Sequence, residues 1–376
     1  MKKILICFGT RPEAIKMLPV YLGFLKDSCF EVKLCVTGQH REMLDQVLEI
    51  FDVVPDYDLN IMKKGQTLSE VTSKIIRRME DIIEGFMPDM IFVHGDTATT
   101  LSVSIAAFYN KIPIAHVEAG LRTFNLKSPW PEEANRKLTS VISDIHFAPT
   151  DKAKNNLIDE GYAPADVHVT GNTVIDALMM VRDNLNNSPE FKKSLIKRFD
   201  FLDFSKKFVL VTGHRRENFG EGFKNICTAL NSLALDFPEV NFVYPVHLNP
   251  NVGEVVKATL GDVENIHLIA PLDYQSFVFM MDQSYFILTD SGGVQEEAPS
   301  LNKPVLVMRD TTERPEGLKS GTLKLVGTSV NSLIKECHSL LTNQDAYNAM
   351  SNSTNPYGDG TASEQIIGAT KAYFSI

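Results

Sequence analysis

Nothing in this chain has the length of a membrane span. Its apolar runs are short pieces such as 90–93 and 277–281, far below the roughly 20 residues a helix needs to cross a bilayer. Cysteine is thinly used too: Cys7, Cys29, Cys35, Cys227 and Cys337 are odd in number and form no CxxC pair. That predicts free, mostly buried thiols in a reducing cytoplasm and excludes a disulfide framework. Metal-site spacing is lacking, with no HExxH, no CxxC and no His-x-His. The first strand runs into Gly9-Thr10-Arg11-Pro12-Glu13 and not GxGxxG, and Walker A spacing does not occur. No metal, nicotinamide or other cofactor is therefore expected. Positive charge is in deficit, 37 Lys and Arg against 47 Asp and Glu for a net −10, which argues against nucleic acid and anionic membranes as partners. Met1-Lys2-Lys3 precedes only five apolar residues before Gly9, so a first strand is expected there and not a signal peptide.

What is present is regular. At 376 residues, with 44% hydrophobic and 22% charged residues, the chain has the composition of a soluble globular protein and the length of two domains. Short β-rich runs alternate with helical patterns, which predicts parallel sheets covered by helices. In the first half strands are expected at 3–8, 31–37, 89–94, 112–117, 145–148 and 167–170. Helices are expected between them, including 12–26, 41–51, 68–86, 97–109, 132–143 and 151–160. Thr10, Pro12 and Glu13 fit a capping box that holds Arg11 at the loop. Between 174 and 207 the strand rhythm lapses, and the domain boundary is placed there. A second set of strands follows at 208–212, 241–246, 266–270, 286–289, 304–308 and 323–326. The segment 361–373 reads as a helix that crosses back to the first domain after a Pro/Gly/Asn-rich turn. The expected organisation is α/β: residues 1–175 with 361–376 form one doubly wound, Rossmann-like domain, and 176–360 form another. Facing across a cleft, the two would hold a ligand at their strand carboxyl ends.

The most informative stretch is Asp290-Ser291-Gly292-Gly293-Val294-Gln295-Glu296-Glu297. A strand-like run ends in an acid, two glycines allow close backbone approach, and a helical pattern begins at once. Exposed N–H groups at such a start favour an anion. Glu296 and Glu297, one turn inside, repel phosphate but suit the hydroxyls of a ribose. Arg309-Asp310-Thr311-Thr312-Glu313-Arg314-Pro315-Glu316 adds guanidinium forks near the same edge. The Gly-Gly alone reads as an ordinary turn; with the acids and arginines it reads as a seat for a nucleotide diphosphate. Other polar groups stand at strand ends: Asp96, Glu118, Glu132 at a helix start, and His214. Asp96 alone is most simply a cap for the helix beginning at Thr97. Glu118 can pair with Arg122. Acids in a first helical turn are favoured by the dipole, which accounts for Glu133 and is open for Glu132. His214, followed by Arg215 and Arg216, points to anion binding, whereas His94, His116 and His146 read as structural.

The strings Gly9-Thr10-Arg11-Pro12-Glu13-Ala14-Ile15-Lys16, Gly38-Gln39-His40-Arg41-Glu42-Met43, His94-Gly95-Asp96-Thr97 and His116-Val117-Glu118-Ala119-Gly120-Leu121-Arg122-Thr123 continue in Pro131-Glu132-Glu133-Ala134-Asn135-Arg136, His214-Arg215-Arg216-Glu217-Asn218, 291–300 and 309–316. In this order, from residue 1 to about 360, they resemble the non-hydrolysing UDP-N-acetylglucosamine 2-epimerase family. The resemblance implies the GT-B architecture with the nucleotide held mainly by the second domain. It implies Asp96, Glu118, Glu132 and His214 as the catalytic set. Around the UDP it implies Arg11, Lys16, Arg136, Phe277, Ser291, Gly292, Glu297 and Arg314, with Phe277 at the uracil and Glu297 at the ribose. A regulatory UDP-N-acetylglucosamine site, with Gln39, Arg215 and His247 as candidates, and a homodimer are also implied. One departure is Gly317-Leu318-Lys319-Ser320-Gly321, where the family has an alanine-and-acid-rich helix start. The implied activity is reversible epimerisation at C2 of UDP-N-acetylglucosamine (UDP-GlcNAc), through elimination of UDP to a 2-acetamidoglucal and re-addition. The product, UDP-N-acetylmannosamine (UDP-ManNAc), would supply bacterial surface polysaccharide. Alternatives are a hydrolysing relative, an epimerase of a 2,3-diacetamido uronic acid nucleotide, a GT-B glycosyltransferase and a non-catalytic sensor.

Overall fold

A computed structural model describes every residue except Gln39, His40, Lys64 and Leu248; the side chains of Arg41, Glu42, Arg216, Pro250 and Asn251 are likewise outside the description. The chain forms two units, Met1–Ala177 with Tyr357–Ile376, and Leu178–Pro356. In the first, the strands β1 (Lys2–Phe8), β2 (Phe30–Val36), β3 (Tyr57–Asp58), β4 (Met90–His94), β5 (Ile114–Val117), β6 (Ile145–Ala148) and β7 (Val167–Val169) build one sheet in the order β3-β2-β1-β4-β5-β6-β7. All pairings in it are parallel. The two-residue β3 was not expected; it extends the edge by pairing Tyr57 with Cys35 and Asp58 with Val36. So short a strand has no periodicity to betray it.

The strand alternation decides the core. Ile4, Ile6 and Phe8 pack on one face with Met17, Leu18 and Phe24 of the helix Arg11–Leu25. Leu5 and Cys7 pack on the other with Val71, Ile75 and Met79 of the helix Leu68–Phe86. A parallel strand covered on both faces must be apolar on both, which explains its unbroken hydrophobic run. The helix Ala362–Phe374 belongs to the first of these cores through Ile366. Its start is tied down by Asp176, which accepts from the backbone N of Ser363 at 2.7 Å. Farther along, Lys371 pairs with Asp27 at 2.6 Å. A Cβ on Gly23 would stand 2.7 Å from Ile367 Cδ1, so the two helices approach at a residue without a side chain.

In the second unit β8 (Phe208–Thr212), β9 (Asn241–Pro245), β10 (Ile266–Ile269), β11 (Phe286–Thr289), β12 (Val305–Val307) and β13 (Leu323–Leu325) form a parallel sheet in the order β10-β9-β8-β11-β12-β13. Both units are Rossmann-like α/β layers. Strand order reverses between β1 and β4 in one sheet and between β8 and β11 in the other. Connections leave such a point in opposite directions, so the loops at its strand carboxyl ends diverge and leave a crevice. Here those loops are Gly9–Arg11, Gly95–Thr97, Gly213–Asn218 and Asp290–Gly292.

The first unit also buries three imidazoles: His94, His116 and His146, at 4%, 0% and 1% exposure. Loss of water drives them down to about 4, about 3 and about 4 from an ordinary 6.5. The unfolded chain then takes up protons below pH 6.5 that the folded unit refuses, so stability is full above that pH and drains away toward pH 4. Each such imidazole steepens the decline by about 1.4 kcal/mol per pH unit. His146, whose ring meets Tyr162 edge-on at 4.9 Å, can be replaced by another ring. His146→Phe should lose less thermal midpoint than the wild type between pH 6.5 and 4; equal losses in a melting series would remove buried His146 as a cause.

Candidate active site

At the carboxyl edge of the first sheet, a group of polar side chains meets. Glu118, directly after β5, has left-handed backbone with φ 60°, a conformation that costs a non-glycine residue about 1 kcal/mol or more. Its Oε1 is in contact with Lys16 Nζ and lies 3.5 Å from Asn172 Nδ2; its Oε2 is 3.6 Å from His94 Nε2. A Cβ on Gly95, itself at φ 63°, would stand 3.3 Å from that Oε2. Asp96 pairs with Arg136 Nη2, and its backbone carbonyl accepts from Asn135 Nδ2 at 2.9 Å. Burial pushes the Asp96 carboxyl above its ordinary range; Arg136 opposes that, while Glu118 and Glu132 push further up. Glu132, the first residue of the helix Glu132–Ile142, joins the group through this repulsion. Arg11 stands half-buried at the start of its helix, with no hydrogen-bond or ion-pair partner among the described residues.

Behind these groups lies Glu13, 2% exposed. Its carboxylate accepts from Gly9 N at 3.1 Å, Thr10 N at 2.8 Å and Thr97 Oγ1 at 2.8 Å. One buried side chain thus fastens the loop after β1 to the loop after β4.

The second sheet repeats the device. Asp290, 0% exposed and directly after β11, accepts from His214 N and Arg215 N at 2.9 Å each and from Asn218 Nδ2 at 3.1 Å. The loop after β8 is thereby held, and His214 is presented with its ring stacked on His247 at 5.5 Å. Burial lowers the His214 imidazole below its ordinary range, helped by His247 and Arg215 and opposed by Asp290. A cavity of ≈ 240 Å³ opens here, lined among others by His214, His247, Phe277, Ser291, Gly293 and Glu297. Phe277 is half-buried on a helix, Tyr274–Gln283, whose Val278, Phe279, Met280 and Met281 are core. Glu297 is 6% exposed and accepts from Tyr274 Oη at 2.8 Å. Arg314 donates to Glu296 Oε1 at 2.8 Å. Its guanidinium fills the place of the missing side chain of Gly292, where a Cβ would come within 2.5 Å of Nη1.

The structure thus groups Asp96, Glu118, Glu132, Lys16 and Arg136 on one sheet edge, and His214, Phe277, Ser291, Gly292, Glu297 and Arg314 on the other. Of the regulatory candidates, His247 lines the same cavity as Phe277, Arg215 adjoins His214, and Gln39 lies outside the described residues. Several simpler readings are overturned. The helix cap is Thr97, whose hydroxyl accepts from Thr100 N at 3.2 Å, which leaves Asp96 for Arg136. Arg122 pairs with Glu160 at 2.8 Å and not with Glu118. Glu133 does more than answer a dipole: fully buried, it accepts from Thr123 N and Phe124 N at 3.0 Å each, and so shapes the loop before its helix. Arg309 is clasped by Glu217 and Glu313, which leaves Arg314 as the guanidinium at the glycine turn. His94, which reads as structural on sequence alone, stands against Glu118. Its position as the last residue of β4, one step before Gly95-Asp96, was the available signal.

A family model described as UDP-N-acetylglucosamine 2-epimerase matches residues 24–371. The UDP-N-acetylglucosamine 2-epimerase of Yersinia pestis is 57% identical over 369 residues, covering 98% of each chain. That of Escherichia coli strain K12 is 55% identical over 369 residues, again 98% of each. Among solved structures, UDP-GlcNAc 2-epimerase from Neisseria meningitidis, bound to UDP-GlcNAc, matches with a TM-score of 0.89 at 53% identity, covering 98% of this chain and 100% of that one.

Asp290→Ala should unfold at lower denaturant, by about 2 kcal/mol or more, because three donors lose their acceptor at once. Asp290→Asn keeps the shape but turns an amide toward backbone N–H groups, so it should fall between. Equilibrium unfolding that gave all three proteins one midpoint would remove Asp290 as the fastening of the loop.

Proposed function

The chain belongs to the UDP-N-acetylglucosamine 2-epimerase family, and we propose on that premise that it interconverts UDP-GlcNAc and UDP-ManNAc without releasing the free sugar. The observation that carries the reading is the placing of two carboxyls at one sheet edge, Asp96 paired with Arg136 and Glu118 with Lys16. The proton on C2 of the sugar adjoins no carbonyl, so it leaves only if another bond breaks with it. In the proposed step Glu118, in contact with the Lys16 ammonium, takes that proton. The C–H electron pair becomes the C1=C2 double bond, and the C1–O bond breaks in an anti elimination to release UDP. A proton returned to C2 on the opposite face, with re-addition of UDP oxygen to C1, gives the epimer. Asp96, whose burial favours the protonated form, suits the acid, and Glu132 adds a third carboxyl to the proton exchange. Such roles need groups with unlike proton affinities.

The nucleotide falls to the other unit. Phe277 offers a ring face to the uracil, and Glu297, held by Tyr274, accepts from ribose hydroxyls. Ser291, Gly292, Arg314 and His214 meet the pyrophosphate, joined by Arg11, Lys16 and Arg136. Leaving-group charge met by ordered donors is the largest source of rate in such a reaction. The two residue sets serve one substrate molecule in this reading. It also takes in a cytoplasmic homodimer, a product used for surface polysaccharide, and a second UDP-GlcNAc acting as regulator near Gln39, Arg215 and His247. Absence of hydrolysis rests on the motif strings.

Proton NMR of UDP-GlcNAc with the purified protein in deuterium oxide should show UDP-ManNAc with one deuterium at C2. Free N-acetylmannosamine with UDP would mean hydrolysis, and an epimer without label would rule out elimination. Glu118→Gln should bind UDP within about twofold of wild type in calorimetry and turn over about a hundredfold more slowly or worse. Unchanged turnover would exclude Glu118 from acid–base work.

A further inference from the structure

We propose that His94 is a positioning residue for Glu118, its Nε2–H holding the carboxylate that removes the C2 proton. The inference rests on the epimerase reading above and adds a residue to it. His94 ends β4 and is 4% exposed. Its Nε2 is buried with no hydrogen-bond partner among the described residues, yet it faces Glu118 Oε2 at 3.6 Å. That is too long for a hydrogen bond, and a small swing of the carboxylate closes it. Catalytic contacts are often loose in the empty site and tighten around substrate. The neighbouring buried rings are used otherwise: His116 Nε2 lies 2.7 Å from Gly95 O, and His146 packs on Tyr162. Only His94 of the three points at a proposed acid–base group.

The surroundings fix what His94 can do. Glu118 faces Lys16 from the helix Arg11–Leu25, His94 from β4, Asp96 from the following loop and the neutral amide of Asn172 beyond β7. His94 itself faces Glu118, Lys16 and His116. Burial and Lys16 hold the His94 ring neutral at neutral pH, down to about 4, against the pull of Glu118. A neutral ring brings a directed N–H without a charge. Through the elimination His94 neither gains nor loses a proton: Glu118 receives the C2 hydrogen, and the electron pair leaves with UDP.

The test compares His94→Leu with His94→Gln, whose amide nitrogen can reach the place of Nε2. In His94→Leu, kcat should fall about tenfold, the scale of one hydrogen bond to a charged group, with KM within about twofold. The acidic limb of the kcat profile should move to higher pH, because a carboxylate deprived of a donor is protonated more easily. His94→Gln should recover most of kcat and return the limb. Circular dichroism and a cooperative thermal transition show that each variant is folded. Wild-type kcat and profile in His94→Leu, or equal losses in both variants with an unmoved limb, would overturn the inference. A wild-type protein that produced no epimer in the same assay would overturn the epimerase reading instead.

Discussion

A carboxylate taken out of water and satisfied by loop backbone is the constraint on which both edges depend. Burying such a charge is unfavourable unless donors surround it, and Glu13 and Asp290 find theirs on the loops of the order reversal. Glu13 fastens the loop after β1 to the loop after β4, and Asp290 fastens the loop after β8 to the end of β11. The two devices differ in origin, one acid lying in a first helical turn and the other at a strand end. Both give loops a fixed conformation before any ligand arrives. Arg11, Asp96 and His214 are displayed from loops that have lost the freedom to rearrange.

The cations at these edges are ordered in the same way. Lys16 rests on Glu118, Arg136 on Asp96, and Arg314 on Glu296. On the proposed reading, an anionic ligand would meet guanidinium and ammonium groups already aimed, so little side-chain freedom would be lost on binding. Glycines make room for these contacts: Gly292 admits the Arg314 guanidinium, and Gly95 leaves space beside the Glu118 carboxylate.

Much of this was legible in the sequence because it is local. The unbroken apolar run of β1, the Thr10–Glu13 spacing and the Gly292-Gly293 turn each announce themselves within a few residues. The return of the last helix was legible from the turn before it, although the contacts that hold it, Asp176 to Ser363 and Lys371 to Asp27, were not. Partner choice is where local reading failed. Arg309 and Arg314 share one string, yet only the fold shows that the first is clasped by Glu217 and the second lies on Glu296 at the glycine turn. Thr97 and Asp96 are adjacent and both can cap, so only backbone geometry decides between them. Glu133 was read through the helix dipole because its two loop amides lie ten and nine residues upstream. His94 looked structural because an imidazole at a strand end is ordinary until the carboxylate opposite it is known.

The helix Ala362–Phe374 carries a consequence for how the protein is made. Ile366 is part of the core beneath β1, so of the two units the one whose synthesis starts earlier is completed later. Residues 178–356 emerge as one continuous stretch and can close their own core during synthesis. The earlier unit must wait, with an apolar groove uncovered, until residues 362–374 are released to fill it.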